Sequence, residues 1–280
     1  MRQLNFFWIV ILLYAGLWAQ DSIRVGISNR YGDMGRTEAA FEKTMEALNL
    51  NSQLHWKLKI YPKEEDLIPA LENREIQLIK MSPLIYALQK QQIPIKAVAI
   101  SLNETGSPHY TAVIVTYKKS KITSLQQIKG KKIAFGSKFS SSSFLIPVLY
   151  LERIGIPLSD LDYQFLGAQT KILLALQKGE ADVGAVTSDL LKNVRPGTFR
   201  ILYRSEPIPG SPMVVSKSLP QGIVDAITED LKIYNRMIRN EPELQSAIES
   251  DFKYGFSVEV NENIFDPLRL AYKKILPKIQ

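Results

Sequence analysis

The chain has 280 residues, 45% of them hydrophobic and 22% charged, with a formal net charge of +7. That length supports one large core or two lobes of ordinary domain size. The basic residues come singly or in pairs, such as Lys118–Lys119 and Lys131–Lys132, without the block or reading motif that a nucleic-acid partner calls for, and the absence of cysteine rules out thiol catalysis, Cys-ligated metals and a lipid anchor on cysteine.

Residues 1–19 read as an export signal: Arg2 gives a positive start, Phe6 to Trp18 is nearly all apolar, and Ala19 offers a small residue for cleavage. The apolar run of about 13 residues is short for a bilayer span, so a retained membrane anchor is the lesser alternative. Ser22 to Ser28 alternates as a strand, and Thr37 to Leu50 places Ala40, Phe41, Thr44, Ala47 and Leu48 on one helical face. Trp56–Tyr61, Ile76–Met81 and Lys96–Leu102 read as further strands, separated by helices over Glu64–Asn73 and Pro83–Gln89. The charge run Lys63-Glu64-Glu65-Asp66 at the start of one helix reads as solvated surface.

A second block of the same kind follows: strands at Tyr110–Tyr117, Lys131–Phe135, Asp162–Gly167, Ala181–Val186 and Arg200–Tyr203, with helices at Phe144–Ile154 and Thr170–Lys178. Asp182 reads as a structural residue fixing the turn before its strand. The breakers of Pro207-Ile-Pro-Gly-Ser-Pro212 form a linker, after which one strand and three helices close the chain. Repeated strand–helix alternation predicts an α/β fold with parallel sheets. Two such units joined by two crossings, near 105–117 and 206–216, describe a hinged, two-lobed binding protein: residues 20–110 with 211–280 as lobe 1, and 111–210 as lobe 2. A ligand would lie between the lobes, at the carboxyl ends of strands and the amino ends of helices.

Four consecutive serines, Ser140 to Ser143, fall where the Lys131–Phe135 strand turns into the next helix. Such a turn presents unpaired N–H groups and the positive end of a helix dipole, and hydroxyls beside them add neutral donors for an anion. The plainer alternative is a Ser-rich loop with one N-cap serine.

From Tyr110 to Asp189 the order of motifs resembles the periplasmic phosphate/phosphite/phosphonate-binding proteins of ABC importers, which are type 2 solute-binding proteins. The resemblance is carried by Ser124-Leu125-Gln-Gln-Ile128-Lys129-Gly130-Lys131 and Ser140-Ser141-Ser142-Ser143-Phe144-Leu145-Ile146-Pro147, with Ser82-Pro83-Leu84-Ile85-Tyr86 and Pro207 to Pro212 as flanking matches. It implies a two-lobed α/β fold, each lobe a mostly parallel sheet flanked by helices, with two hinge crossings. It implies ligand contacts at Ser140, Ser141 and Ser142, at Tyr86, and at Asp189, whose carboxylate would face a ligand's ammonium group; Tyr31, in the first strand–helix turn, is a further and weaker candidate on the far wall. Ser143 stands where the family usually has glycine. Gln169 stands where it has a histidine that meets the anion; an amide still donates a hydrogen bond there but carries no charge. Without the resemblance, Tyr86 fits a core aromatic, Gln169 the start of a surface helix and Asp189 a helix cap.

The implied protein is periplasmic, monomeric, without cofactor and not an enzyme. Its partners would be a small oxyanion and an inner-membrane ABC permease. A periplasmic sensor reporting to a membrane-bound kinase or cyclase is the alternative. His55 and His109 lie in separate segments, and no Ser–His–Asp order, phosphate-loop or dinucleotide motif occurs.

Overall fold

The computed structural model describes residues 22–29 and 32–279. The expected signal, residues 1–19, and Tyr31 lie outside the described residues. Ser22–Ser28 forms strand β1, with Ile23 and Val25 to Ile27 buried, and Asp33 caps helix α1 (Met34–Asn49) by accepting from the Arg36 N–H. Strand β2 (His55–Tyr61), helix α2 (Leu67–Glu72), strand β3 (Leu78–Lys80), helix α3 (Pro83–Gln89) and strand β4 (Ile95–Ser101) complete the first α/β run. The chain crosses through β5 (His109–Tyr110) into β6 (Ala112–Tyr117), β7 (Lys132–Phe135), helix α4 (Ile146–Arg153), β8 (Asp162–Phe165), helix α5 (Gln169–Lys178), β9 (Val183–Thr187) and β10 (Phe199–Arg204). It returns through β11 (Ile208–Pro209) to β12 (Pro212–Ser216), helices α6 (Gln221–Asn240) and α7 (Pro242–Ala247), strand β13 (Phe256–Ser257) and helix α8 (Asp266–Ile275).

Two main sheets result, of order β13-β4-β12-β3-β1-β2 and β10-β6-β9-β7-β8. The α/β alternation and the two-lobed arrangement agree with the sequence expectation. In each sheet most strands run in one direction, but β12 is antiparallel to β3 and β4, the short β13 is antiparallel to β4, and β6 is antiparallel to β9 and β10. Strands β12 and β6 are the ones the crossings lead into. A chain arriving from the other lobe enters at the cleft, beside the carboxyl ends of the other strands, and so runs away from it. The linker is not wholly irregular either: Ile208 and Pro209 pair antiparallel with Tyr110 and His109, so the crossings form a two-stranded hinge. Lys132 N–H donates to the Asp182 carboxylate, which fixes the turn before β9.

Each sheet is covered on both faces. Val25, Phe41, Trp56 and Ile227 pack one face of the first sheet under α1 and α6, while Ile172, Leu173 and Leu176 of α5 cover one face of the second. The remaining core is shared: Leu84 and Tyr86 of lobe 1, Phe135, Phe144 and Val148 of lobe 2, and Phe265, Leu268 and Tyr272 of the C-terminal segment form one apolar cluster. The C-terminal helix therefore touches both lobes, packing on α3 and on the helical turn ahead of α4.

Candidate functional site

A cavity of about 400 Å³ opens between the two sheets. Its lobe 2 wall is the serine turn. Strand β7 ends at Phe135, buried against the rings of Phe144, Tyr163 and Phe165, and the chain then passes Gly136. A Cβ on Gly136 would lie 2.3 Å from Ser143 Oγ, so only glycine lets the strand end approach the turn this closely. Residues 141–145 form a wide, π-type helical turn that runs directly into α4. Ser140 has extended backbone, and its Oγ accepts the Ser143 N–H at 3.1 Å; the Leu145 N–H reaches back five residues to the Ser140 carbonyl at 3.0 Å. Pro147 has no N–H to offer the Ser143 carbonyl, which accepts from Gly136 at 3.3 Å instead. The N–H groups of Ser141 and Ser142 fall in a first turn, where no intrahelical carbonyl exists for them.

Ser140, Ser141, Ser142 and Ser143 all line the cavity, and the last three are 1–3% exposed. The hydroxyls of Ser141 and Ser143 are buried without a hydrogen-bond partner. Gln169, at the start of α5, accepts the Thr187 N–H at 2.7 Å through Oε1 and aims its Nε2 at Ser142 Oγ, 3.4 Å away. The amide thereby links the serine turn to the end of β9. Asp189 also lines the cavity, but its carboxylate pairs with Lys192 at 2.7 Å, and Lys192 reaches Glu104 at 2.9 Å. It caps no helix: the short turn it occupies starts at Thr187 without a side-chain cap.

Tyr86 is a correction. It is fully buried and lines no part of the cavity. Its ring packs edge-on against Phe265, and its hydroxyl donates to the Glu262 carboxylate while accepting the Ala97 N–H at 3.0 Å. Burial first, and the neighbouring carboxylate second, push its phenol far above the usual tyrosine range. The resemblance at Ser82–Tyr86 predicted the turn, but the helix it opens turns Tyr86 to the core.

Several cavity residues were not nominated by sequence. Asn29, Ser82 and Ser101 sit at the carboxyl ends of β1, β3 and β4, where the strand-end rule could have placed them. Glu64, expected as solvated surface, faces the cleft and accepts the Ser82 N–H at the start of α3. Lys80 and Asp251 pair at 2.6 Å on the same wall, and no local signal marks Asp251. Ser82 Oγ donates to the Phe139 carbonyl at 3.3 Å and so bridges the lobes beside the serine turn. Among the described residues no group of three or more metal-ligating side chains occurs, and no helix is long and apolar enough to cross a membrane.

Two α/β lobes, a double-stranded hinge and a donor-lined cavity between them define a two-lobed solute-binding fold. The family model described as "ABC transporter, phosphonate, periplasmic substrate-binding protein" matches residues 31–254, and the chain belongs to that family. The phosphonates-binding periplasmic protein of Escherichia coli K12 is 26% identical over 155 residues, which is 51% of this chain and 45% of that protein. The matched stretch thus spans less than half of that relative's length. Solved structures share the fold. A binding component of an ABC phosphonate transporter from Pseudomonas aeruginosa superposes with TM-score 0.72 at 17% identity, covering 92% of this chain and 87% of that one. PhnD1 from Prochlorococcus marinus, in complex with methylphosphonate, gives 0.74 at 15% identity over 93% and 100%.

Proposed function

We propose that this chain is an exported solute-binding protein that holds a phosphonate-, phosphate- or phosphite-like oxyanion between its lobes and delivers it to an inner-membrane ABC permease. The observation that carries this reading is the pair of buried, partnerless hydroxyls, Ser141 and Ser143, beside open N–H groups at the start of a helix in the cleft. A tetrahedral oxyanion supplies the acceptors these donors lack. Gln169 presents a further neutral donor through Nε2. No lysine, arginine or histidine stands among the cavity residues of the serine turn and the α5 start, so the grip on that wall is made of neutral donors and a helix dipole.

A ligand held by lobe 2 and touched by lobe 1 favours the closed arrangement by its extra contacts there, and the closed form is what a permease would recognise. Nothing in the site favours the sensor alternative. Calorimetric titration of the mature chain with phosphate, phosphite, methylphosphonate, 2-aminoethylphosphonate and sulfate tests the ligand class. Binding of at least one phosphorus oxyanion is expected. Each lost hydrogen bond to a charged ligand costs about 1.5–3 kcal/mol, so Ser141→Ala/Ser142→Ala should weaken that binding roughly a hundredfold or more. Heat from none of the five anions, or an unaffected double variant, would overturn the reading. Co-purification with a permease, in place of a membrane kinase or cyclase, tests the partner.

A further inference from the structure

Among the described residues, four buried hydroxyls have no hydrogen-bond partner: Ser101, Ser141, Ser143 and Tyr272. The three serines line the same cavity, and Ser101 comes from the opposite lobe. A buried hydroxyl left unpaired is destabilising, so three gathered around one cavity call for an acceptor that enters it.

The backbone of Ser101 is held firmly. It is the last residue of β4, with β13 paired on one side at Phe256 and β12 on the other, where Pro212 faces Ile100. Its N–H donates to the Ser211 carbonyl at 3.1 Å, and the next N–H, of Leu102, donates to the Gly255 carbonyl at 2.9 Å. Gly210 in the returning crossing packs so closely that a Cβ there would lie 2.8 Å from the Ser101 carbonyl oxygen. The strand end is thus wedged between the hinge and the sheet edge; the N–H groups of Ser101 and Leu102 are both used, while the Ser101 hydroxyl is not.

We infer that Ser101 is the lobe 1 donor to the bound oxyanion, opposite the hydroxyls of Ser141 and Ser143. The inference rests on the oxyanion reading and sharpens it. Lobe 2 carries the main grip, and Ser101 supplies the contact that a ligand gains when both lobes meet it. Because Ser101 stands next to the hinge segment that Gly210 and Ser211 provide, its hydrogen bond links ligand capture to the position of the lobes. Selectivity follows as well: an anion whose oxygens all lie on the lobe 2 side leaves this hydroxyl unsatisfied and binds more weakly.

The test uses the mature chain with methylphosphonate and inorganic phosphate as probes, read by calorimetry, together with the thermal midpoint of the ligand-free protein and the ligand-induced change in radius of gyration. Ser101→Ala should bind the preferred probe about 10- to 100-fold more weakly. Its ligand-free midpoint should equal or exceed that of the parent, because it loses a group with no partner. The compaction on ligand binding should shrink. Ser101→Cys keeps the shape with a much weaker donor, and should lose affinity similarly, which covers the case in which alanine disturbs the strand end. Unchanged affinity in both variants, with binding lost in Ser141→Ala/Ser142→Ala, overturns the role of Ser101 and leaves the oxyanion reading standing. A ligand-free midpoint several degrees lower in both variants makes the hydroxyl structural and overturns the inference. Failure of the unmodified chain to bind either probe or any of the other anions removes the reading beneath it.

Discussion

Tyr86 carries a hydroxyl that ties the C-terminal segment to the rest of lobe 1. It shares the Glu262 carboxylate with the Ala97 N–H, which donates at 2.7 Å, while Lys90 holds the Glu262 carbonyl at 2.8 Å. Removing the phenol oxygen takes one donor from a partly buried carboxylate and leaves the cavity untouched. Tyr86→Phe should therefore lower stability by about 1–3 kcal/mol and leave anion affinity unchanged, as urea unfolding and calorimetry on the same preparation will show. A large loss of affinity without loss of stability would return Tyr86 to the ligand. Gln169 behaves differently from an ordinary helix-start residue, because both ends of its amide are engaged: one by the Thr187 N–H and one by Ser142 Oγ. It orients the serine it touches, and that orientation needs no charge.

The serine turn works because three neighbouring constraints agree. Ser140 caps the helix, Pro147 withholds an N–H from Ser143, and Gly136 accepts the close approach that brings its own N–H to the freed carbonyl. The first turn is widened to π geometry, an arrangement frequent at functional sites. Gly136→Ala forces Ser143 or the strand end to move, since a Cβ would stand 2.3 Å from Ser143 Oγ and 3.1 Å from its Cβ. Overpacking of this kind costs about 1–3 kcal/mol, and the same shift should weaken anion binding at least tenfold. Scanning calorimetry and titration measure the two effects. Full affinity in the alanine variant would show that the turn tolerates the displacement.

At the scale of the whole molecule, the lobes share an apolar cluster as well as a hinge, because the C-terminal helix lies against α3 and the serine helix together. Lys278 extends the contact by pairing with Glu152 of α4 at 2.7 Å. Buried phenols sit in both main cores of lobe 1: Tyr86 in the shared cluster, and Tyr234 in the cluster under α1 and α6, its hydroxyl donating to the Phe252 carbonyl at 3.0 Å. Burial is the leading cause in raising both above their ordinary value. A tyrosine in the unfolded chain loses its proton near pH 10, whereas these two keep theirs when folded. Their contribution is complete below about pH 10 and is lost as pH rises beyond it. The thermal midpoint should hold nearly level from pH 7 to 9 and fall above about pH 10, with a shallower fall in Tyr86→Phe. A midpoint independent of pH up to 11 would contradict this account.

Local chemistry made much of the protein legible from sequence alone. Strand and helix periods, the glycine and proline breakers and the serine run at a strand–helix junction each depend on a few adjacent residues, so the α/β alternation, the two crossings and the position of the serine turn could be read directly. The family motif added Gln169 and Asp189, which the fold does bring to the cleft. Tertiary structure alone decided the rest. Tyr86 faces the core because Glu262, 176 positions away, meets its hydroxyl. Glu64 faces the cleft because the start of α3 offers it an N–H. Strands β6 and β12 run against their neighbours because the crossings enter each lobe from the cleft. Ser101 joins the site because β4 ends between the hinge and β13. Periodicity shows that a residue lies on an element; which neighbour its side chain meets is set by contacts between segments far apart in sequence.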